Sequence, residues 1–378
     1  MSAPGGADAE LPRAWLLMGH KVGDNAQLLA LAEALHLPFE QKRLVYRPTE
    51  LITNVLAGAN LLGLVRERSD PLEPPWPQLV LTAGRRNEPV ARWIREQAGG
   101  RERVKLVHVG RPWARLGEFD LVVTTPQYSL PEAPNVLHNE APLHRVTPER
   151  LAAAREAWAP RLAHLSRPYV TVILGGNSGP YSFDREAGAL LGLEACRLAR
   201  ELGGSLLVTT SARTPQGAIE ALEQQLGVPH ELFRWRADAA ENPYLGYLAL
   251  ADRLIVTCDS MSMLIEAIAT GRPVLVFDLA RGRGSRRPPL PANGSIRRAG
   301  WQERLRGIRL QPVWYRLGQL AGPAQLRRDV GVIHRRQIAA GRAAWLGEPM
   351  PDPGAVAPLA DTERAAARVR ALLGLPPM

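Results

Sequence analysis

The sequence predicts an α/β protein built from two Rossmann-like domains, each a doubly wound parallel sheet with helices on both faces. Short apolar runs alternate with segments of helical periodicity along most of the 378 residues. Runs such as 254–256 and 274–277 are continuously apolar, as strands are when helices cover both faces of a parallel sheet. The length also suits two domains of about 150–200 residues better than one.

The first half of the chain predicts one such domain over residues 15–165. Strands are expected at 15–18, 40–46, 79–83, 105–109 and 121–124, and helices at 25–34, 51–64, 88–97 and 148–157. Residues 1–14 contain proline, glycine and acidic residues without an apolar core. We therefore expect a disordered N-terminal tail there and no signal peptide.

The second half predicts a similar domain over residues 166–280. Strands are expected at 169–174, 205–210, 231–233, 254–256 and 274–277, with helices at 184–202, 215–226 and 243–251 and a further helix after Asp259. Strands that alternate with helices in this order indicate βαβ units. The remaining residues, 311–378, are expected to form a helical segment, and packing against the first domain is one arrangement open to it.

The net charge of +10 is concentrated in residues 281–310, which contain nine arginines and one acidic residue. This basic segment fits a nucleic acid, an anionic membrane surface or a phosphorylated substrate, and a solvated basic loop is the simplest alternative. No nucleic-acid-binding motif or aromatic and basic platform accompanies it, so we expect no nucleic-acid partner.

The two cysteines, Cys196 and Cys258, have neither metal-ligand spacing nor a disulfide framework. They indicate a reducing compartment, and no apolar run approaches the roughly 18–20 residues of a membrane span. A cytoplasmic protein is therefore expected, with peripheral attachment to the inner face of the cytoplasmic membrane left open. No metal site is expected.

The turn after strand 254–256 has the composition of a nucleotide-diphosphate site. It places Asp259, Ser260, Met261 and Ser262 at a helix start, where backbone N–H groups lack partners and the helix dipole favours an anion. Glu266 follows on the same face and suits the hydroxyl groups of a ribose. An ordinary N-cap on a sheet-packing helix would produce the same residues.

Three other turns of the second domain follow predicted strands with similar polar residues. Since ligands of such sheets bind at the carboxyl ends of the strands, we expect these turns to share one donor site. The predicted donor-binding residues in them are Gly175, Gly176, Asn177, Ser178, Ser211, Arg213, Trp235 and Tyr244. The glycine turn matches neither G-x-G-x-x-G nor a Walker lysine motif. Helix capping by Ser211 and Thr214 and rim packing by the two aromatic residues are the structural alternatives.

The first domain predicts a different chemistry at its strand ends. Asp24 lies at the start of a helix and is the candidate general base for deprotonating a hydroxyl, with an N-cap role as the alternative. The basic residues expected around an acceptor are His20, Lys21, Arg85, Arg86 and Arg111. Solvated loop arginines are the alternative for the last three.

Seven motifs between residues 13 and 280 together resemble the ELM/GtrOC-type glycosyltransferase family, long named after a plant mitochondrial-fission protein. The motifs are K-V-G-D-N-A-Q, T-A-G-R-R, V-T-T-P-Q-Y, G-G-N-S-G-P-Y, V-T-T-S-A-R-T-P, N-P-Y-L-G-Y-L-A-L-A-D and T-C-D-S-M-S-M-L-I-E-A. Many members of the family carry histidine in place of Asp24 and aspartate in place of Asn177.

The resemblance implies a GT-B architecture in which two Rossmann-like domains face one another across a cleft. The nucleotide-sugar donor is then expected on the second domain and the acceptor on the first, without a bound metal or a cofactor beyond the co-substrate. The K-V-G-D element is also similar to the Gly-Asp loop of lipopolysaccharide heptosyltransferases, which implies that Asp24 is the base.

The expected activity is transfer of a sugar from a nucleotide diphosphate sugar to a hydroxyl of a cell-envelope glycan or lipid-linked acceptor, such as the lipopolysaccharide core. Inverting and retaining transfer both stay open. Two alternatives are a nucleotide-sugar 2-epimerase and a non-catalytic, membrane-associated scaffold.

Overall fold

The computed structural model describes residues 11–47, 58–280, 286, 329, 331–350, 354 and 356–377. The chain divides into two compact units, one of residues Met1–Arg145 with Ala360–Met378 and the other of residues Val146–Leu359. Each unit contains one six-stranded sheet in which every strand pair is parallel.

The first unit has the strand order β2-β1-β3-β4-β5-β6. Its strands are β1 (Ala14–Met18), β2 (Phe39–Arg43), β3 (Leu79–Ala83), β4 (Lys105–Val109), β5 (Leu121–Thr124) and β6 (Val136–His138). Its helices are α1 (Val22–Leu35), α2 (Asn87–Gln97) and the C-terminal helix (Asp361–Leu372).

The central strands of this first sheet are buried on both faces, which explains why β1 is apolar at every position. Leu16 of β1 belongs to a core shared with α1 and the C-terminal helix. The next residue, Leu17, points to the other face and belongs to the core that includes α2. Successive side chains of a strand alternate between faces, so a sheet covered on both sides needs apolar residues at every position.

The second unit has the strand order β12-β11-β10-β7-β8-β9. Its strands are β7 (Tyr169–Ile173), β8 (Ser205–Thr209), β9 (His230–Phe233), β10 (Arg253–Thr257), β11 (Val274–Phe277) and β12 (Ala344–Trp345). Its helices are α3 (Pro148–Trp158), α4 (Arg185–Leu202), α5 (Gln216–Glu223), α6 (Tyr244–Leu250), α7 (Met261–Ile268) and α8 (Gly331–Ala339). Read from β9 to β12, this is the strand order of Rossmann folds.

The predicted fold class of two doubly wound, Rossmann-like parallel sheets is confirmed. The sequence missed two short edge strands, β6 and β12. The predicted strand 40–46 ends at Arg43. The predicted helix 51–64 lies partly outside the described residues, and its described part, 58–64, is not helical.

The two units divide at residue 145, about twenty residues before the expected boundary at 165. Helix α3, assigned from the sequence to the first domain, packs on α6 of the second unit. The ring centroids of Trp158 and Tyr247 are 6.2 Å apart, and Arg155 donates to the carbonyl of Ala249 at 2.7 Å. These aromatic and hydrogen-bonding contacts place α3 with the second unit.

The C-terminal helix belongs to the first unit, where it packs on α1. Ala365 and Val369 are buried in the same core as Leu28. The side chain of Arg370 donates to the carbonyl of Leu35 at 2.9 Å. It thereby provides a donor for one of the last carbonyl groups of α1, which have no helical N–H partner.

The first strand begins inside the range 1–14 that the sequence predicted to be a disordered tail. The backbone N–H of Arg13 donates to the side chain of Gln78 at 2.7 Å, and β1 begins at Ala14. Residues 1–10 and most of the basic segment 281–310 lie outside the described residues. No helix in the described ranges is long and apolar enough to cross a membrane.

Candidate functional site

The second unit has a topological switch point between β7 and β10, its two central strands. From this pair the sheet continues through β8 and β9 on one side and through β11 and β12 on the other. Ligands of doubly wound sheets bind at such a point, outside the carboxyl ends of the strands. The turns that follow β7 and β10, together with the start of α7, contain most of the predicted donor residues.

The carboxylate of Asp259 joins these two turns. It accepts the backbone N–H of Gly176 at 2.7 Å and the Thr257 hydroxyl at 2.7 Å, and the Arg213 guanidinium lies 3.7 Å from it. The side chain of Asp259 is fully covered, and this burial raises its pKa to about 6 although both hydrogen bonds favour the ionised form. Asp259 therefore holds the turns together from inside.

Gly175 and Gly176 are required by this close approach. A Cβ atom on Gly175 would lie 2.3 Å from Oδ1 of Asp259, and one on Gly176 would lie 2.1 Å from the carbonyl oxygen of Arg213. Any larger residue would push the turns apart. The sequence identified both glycines but not Thr257, whose hydroxyl also accepts the N–H of Gly175 at 2.8 Å.

Ser211 and Thr214 bind the glycine turn instead of capping a helix. The Ser211 hydroxyl donates to the carbonyl of Gly175 at 2.6 Å, and the Thr214 hydroxyl donates to the carbonyl of Leu174 at 3.2 Å. Helix α5 has Pro215 at its N-cap and no side-chain capping bond. The capping role predicted for these hydroxyls is therefore wrong, and the structure uses them to fix the turn after β7.

The other two residues of the glycine turn are also held in place. The Asn177 side chain accepts the backbone N–H of Phe183 at 2.9 Å, and Ser178 pairs with Tyr181 through two backbone hydrogen bonds. These bonds bring Asn177 and Ser178 to the same edge of the sheet as Asp259 and leave the Ser178 side chain partly exposed.

Helix α7 begins beside this turn. Ser260 is its N-cap residue, and its side chain makes no capping hydrogen bond. Ser260 and Met261 are buried, whereas Ser262 is half-buried. The N–H groups of the first helical turn have no helical acceptor, so this end of α7 offers donors and a positive dipole end to an anion.

The structure pairs the two predicted donor residues Tyr244 and Glu266. The Tyr244 hydroxyl donates to Oε2 of Glu266, which is half-buried one turn into α7. Burial, together with the neighbouring carboxylate, raises the pKa of Tyr244 well above its usual range. The hydroxyl of Tyr244 therefore orients the Glu266 carboxylate.

Trp235 follows β9 at the same edge of the sheet. Its backbone N–H donates to the Thr210 hydroxyl at 2.8 Å, while the residue as a whole is 40% exposed. An indole that is anchored through its backbone and exposed at its ring is available for stacking.

The first unit has its own switch point between β1 and β3. Here lies a cavity of about 80 Å³, which we call the β1–β3 cavity. Five of the predicted residues line it, namely His20, Lys21, Asp24, Arg85 and Arg86. The sequence did not single out three further lining residues, Asn25, Tyr46 and Asn87.

Two asparagines fix the loops of this cavity. Asn25 accepts the N–H of Gly19 at 3.0 Å and donates to its carbonyl at 2.8 Å. Asn87 donates to the carbonyls of Leu17 and Ala83 at 2.6 and 3.1 Å and accepts the Tyr46 hydroxyl at 2.7 Å. Both asparagines follow, within a few residues, a glycine at the end of a strand. This local pattern could have identified Asn25 and Asn87 from the sequence.

Asp24 lies in the first turn of α1 and is not its N-cap. The N-cap residue is Lys21, whose Nζ lies 3.8 Å from Oδ2 of Asp24. The Asp24 side chain is 30% exposed and lies against the turn of Gly84, where an added Cβ would come within 3.0 Å of Oδ2. The capping explanation is therefore wrong, and the carboxylate faces the cavity.

Arg111 does not join this group. It donates to the backbone carbonyl of Tyr128 and does not line the β1–β3 cavity, contrary to the prediction. Arg85 does line it and packs over the Trp113 ring, with 4.6 Å between the guanidinium carbon and the ring centroid. The loop after β4 therefore supports the cavity through Trp113.

Glu88, which the sequence did not identify, holds that loop. Its carboxylate accepts the backbone N–H groups of Trp113 and Ala114 at 2.8–3.1 Å. Burial raises its pKa to about 7, against the effect of these hydrogen bonds and of Arg92.

The described residues contain no group of three or more His, Cys, Asp or Glu side chains that could hold a metal ion.

A family model described as Mitochondrial fission ELM1 matches residues 22–290, about 70% of the chain. The chain belongs to this family. The match confirms the family resemblance seen in the sequence motifs.

The mitochondrial fission protein ELM1 of Arabidopsis thaliana is 29% identical over 242 residues, which cover 58% of this chain and 55% of that protein. The chain therefore spans about half the length of this relative. Among solved structures, the chain is similar to the UDP-GlcNAc 2-epimerase of Neisseria meningitidis bound to UDP-GlcNAc and to the ADP-heptose lipopolysaccharide heptosyltransferase II of E. coli. For the epimerase the TM-score is 0.44 at 12% identity, and the match covers 96% of this chain and 100% of the epimerase chain. For the heptosyltransferase the TM-score is 0.40 at 12% identity, and the match covers 70% of this chain and 84% of that chain.

Proposed function

We propose that the protein is a glycosyltransferase that moves a sugar from a nucleotide diphosphate sugar to a hydroxyl group. The observation that carries this proposal is the bond between the Gly176 N–H and the Asp259 carboxylate at the switch point of the second sheet. It fixes a glycine turn beside the N-terminus of α7, which is the combination that binds a diphosphate in doubly wound folds.

The donor would be held by groups of different chemistry at one sheet edge. Backbone N–H groups of the glycine turn and of α7, with Ser178, Ser260 and Ser262, suit the diphosphate. The half-exposed Arg213 guanidinium adds a positive charge. Glu266, oriented by Tyr244, suits the ribose hydroxyls, and the exposed Trp235 ring suits the base.

Catalysis would then depend on stabilising the leaving diphosphate and activating the acceptor. A bond forms between the acceptor oxygen and the anomeric carbon, while the bond from that carbon to the diphosphate oxygen breaks and the diphosphate leaves with the electron pair. Asp24 would accept the hydroxyl proton in an inverting reaction. The N–H groups and Arg213 would stabilise the charge on the leaving group without a metal ion or other cofactor.

The acceptor we propose is a cell-envelope glycan or lipid-linked glycan, such as the lipopolysaccharide core, met at the cytoplasmic face of the membrane. His20, Lys21, Arg85 and Arg86 of the β1–β3 cavity would bind it. The nine arginines of the basic segment would favour contact with an anionic membrane surface.

A nucleotide-sugar 2-epimerase would need acid and base groups around one sugar. In the second unit, Asp259 is buried within the turns and Glu266 is paired with Tyr244. This arrangement suits donor binding better than proton transfer at a sugar carbon, and we therefore favour transfer over epimerisation.

A thermal-shift panel of nucleoside diphosphate sugars tests the proposal. A bound donor at 100 times its dissociation constant adds about 2.7 kcal/mol to the free energy of unfolding, which raises the melting temperature measurably. Stabilisation by at least one donor is expected. The absence of any shift across the panel would favour the non-catalytic scaffold.

A further inference from the structure

The β1–β3 cavity has an excess of positive charge. Its walls include Lys21, Arg85 and Arg86, and their charges are opposed within the lining by the carboxylate of Asp24. His20 also lines the cavity, and burial together with the charges of Arg86 and Lys21 lowers its pKa, so it is neutral at pH 7. The lining therefore has a net charge of about +2 at neutral pH.

One of these cations lacks a partner within the described part of the chain. Arg86, a half-buried residue, forms no side-chain hydrogen bond or ion pair with any residue there, whereas Nζ of Lys21 lies 3.8 Å from Oδ2 of Asp24 and Arg85 packs on Trp113. Since Arg86 lines the cavity, an anion there could form charge-assisted hydrogen bonds with its guanidinium.

The backbone adds further donors to the same cavity. Lys21 is the N-cap residue of α1, a helix of 14 residues, and makes no side-chain capping bond. The N–H groups of the first turn of α1 therefore lack helical acceptors, and the positive end of the helix dipole lies beside the lysine. Because Asn25 fixes the preceding loop through both the N–H and the carbonyl of Gly19, these donors are held in position before a ligand arrives.

The size of the cavity limits what it can hold. At about 10–15 Å³ per water molecule on this measure, 80 Å³ corresponds to room for roughly five to eight waters. This is enough for a phosphate group and the first atoms of the molecule that carries it.

We propose that the β1–β3 cavity binds a phosphate monoester of the acceptor, next to the hydroxyl that Asp24 deprotonates. A phosphate monoester carries a charge of about −1.5 to −2 at pH 7, which matches the charge of the lining. A carboxylate would leave about one positive charge uncompensated. The inference rests on the proposed function, since it names the class of acceptor that this site selects.

The experiment is isothermal titration calorimetry of the full chain with inorganic phosphate and glucose 6-phosphate, with acetate as the comparison anion. The test variant is Arg86→Gln, which removes one positive charge from the cavity. The control is Arg103→Gln, which removes one positive charge from an exposed position of the first unit outside the cavity. Binding of both phosphates by the wild type and by Arg103→Gln, at least tenfold weaker in Arg86→Gln, supports the proposal. Equal affinities in all three proteins, no phosphate binding, or binding of acetate as tight as phosphate overturns it.

Two further arms separate the possible outcomes. Lys21→Gln should weaken phosphate binding as Arg86→Gln does, and unchanged melting temperatures exclude misfolding as the cause. Tighter binding of dihexanoyl phosphatidic acid than of glucose 6-phosphate assigns the phosphate to a lipid, and the reverse assigns it to a sugar. Nucleoside diphosphate binding should be equal in all variants. If no variant and no wild-type protein binds a nucleoside diphosphate, the proposed transferase function is contradicted. The phosphate measurements still test the phosphate site on their own.

Discussion

The backbone N–H of Gly176 donates to the carboxylate of Asp259 at 2.7 Å, although the two residues are 83 positions apart in the chain. The bond connects the turn after β7 to the turn after β10, across the switch point of the second sheet. The bond therefore holds the two turns together, and a change in either residue should affect both.

Gly176→Ala should disrupt this edge. The new Cβ would lie 2.1 Å from the Arg213 carbonyl oxygen, which forces the turns apart and lowers the free energy of unfolding by at least about 1–3 kcal/mol. Gly117→Ala is the matched control, because no atom lies within 4 Å of its added Cβ. Urea unfolding and nucleotide binding of both variants provide the check, and equal stability of the two would contradict the role assigned to Gly176.

Asp24→Asn should separate donor binding from transfer. The amide has nearly the same shape as the carboxylate but cannot take a proton from a hydroxyl. The transfer rate should fall by about 10²–10⁴-fold while nucleotide affinity stays unchanged. Rates from single-turnover kinetics with saturating donor are the measurement. A rate within a few-fold of the wild type would remove Asp24 from the mechanism.

Glu88→Gln should change how stability depends on pH. Burial raises the pKa of Glu88 from 4.5 to about 7, so the folded state binds this proton more tightly than the unfolded state. As pH rises from about 4.5 to about 7, the free energy of unfolding of the wild type should therefore fall by about 3 kcal/mol relative to the variant, and stay level outside that range.

The control for this comparison is Glu96→Gln, an exposed position on the same helix. Urea unfolding at pH 5 and pH 8 measures the difference for each variant. If the Glu88→Gln and wild-type stabilities change in parallel between these two pH values, Glu88 does not titrate as described.

The basic segment predicts reversible attachment to anionic membranes. Each arginine near the surface should contribute about 1 kcal/mol, and the attraction should weaken as salt screens it. Co-sedimentation with vesicles at low and high salt tests this, with replacement of Arg304, Arg306 and Arg309 by glutamine expected to reduce binding. Replacement of the exposed Arg101 and Arg103 serves as the control. If the wild type does not bind anionic vesicles at low salt, the basic segment has no role in membrane attachment.

The architecture could be predicted from sequence because the central strands of both sheets are buried on both faces. Every residue of β1 and β7 is buried, so both strands are mostly apolar, with Thr171 the one polar residue in the two. The edge strand β12 has only two residues, so it is too short to show the hydrophobic pattern by which a strand is predicted. The assignment of α3 to a domain was wrong because it depends on the contact between Trp158 and Tyr247, which are far apart in the chain.

The same reasoning explains which residues of the candidate site could be singled out from the sequence. Residues that follow a strand within a glycine-containing turn could be identified locally, and Gly176, Asp259 and Asp24 are of this kind. Thr257 and Glu88 could not, because each acts through hydrogen bonds to backbone groups of other loops. Arg111 has the local signature of a cavity residue, but its donation to the Tyr128 carbonyl depends on the fold.

The most direct test of the proposed function is calorimetric measurement of nucleoside diphosphate binding by the wild type and by Glu266→Ala. Glu223→Gln, an exposed carboxylate on α5, is the control, and the melting temperature of each free protein shows whether it is folded. The account predicts that the wild type and the control bind equally, and that a folded Glu266→Ala binds at least a hundredfold more weakly. Undiminished binding by Glu266→Ala, or no binding by the wild type, would contradict it.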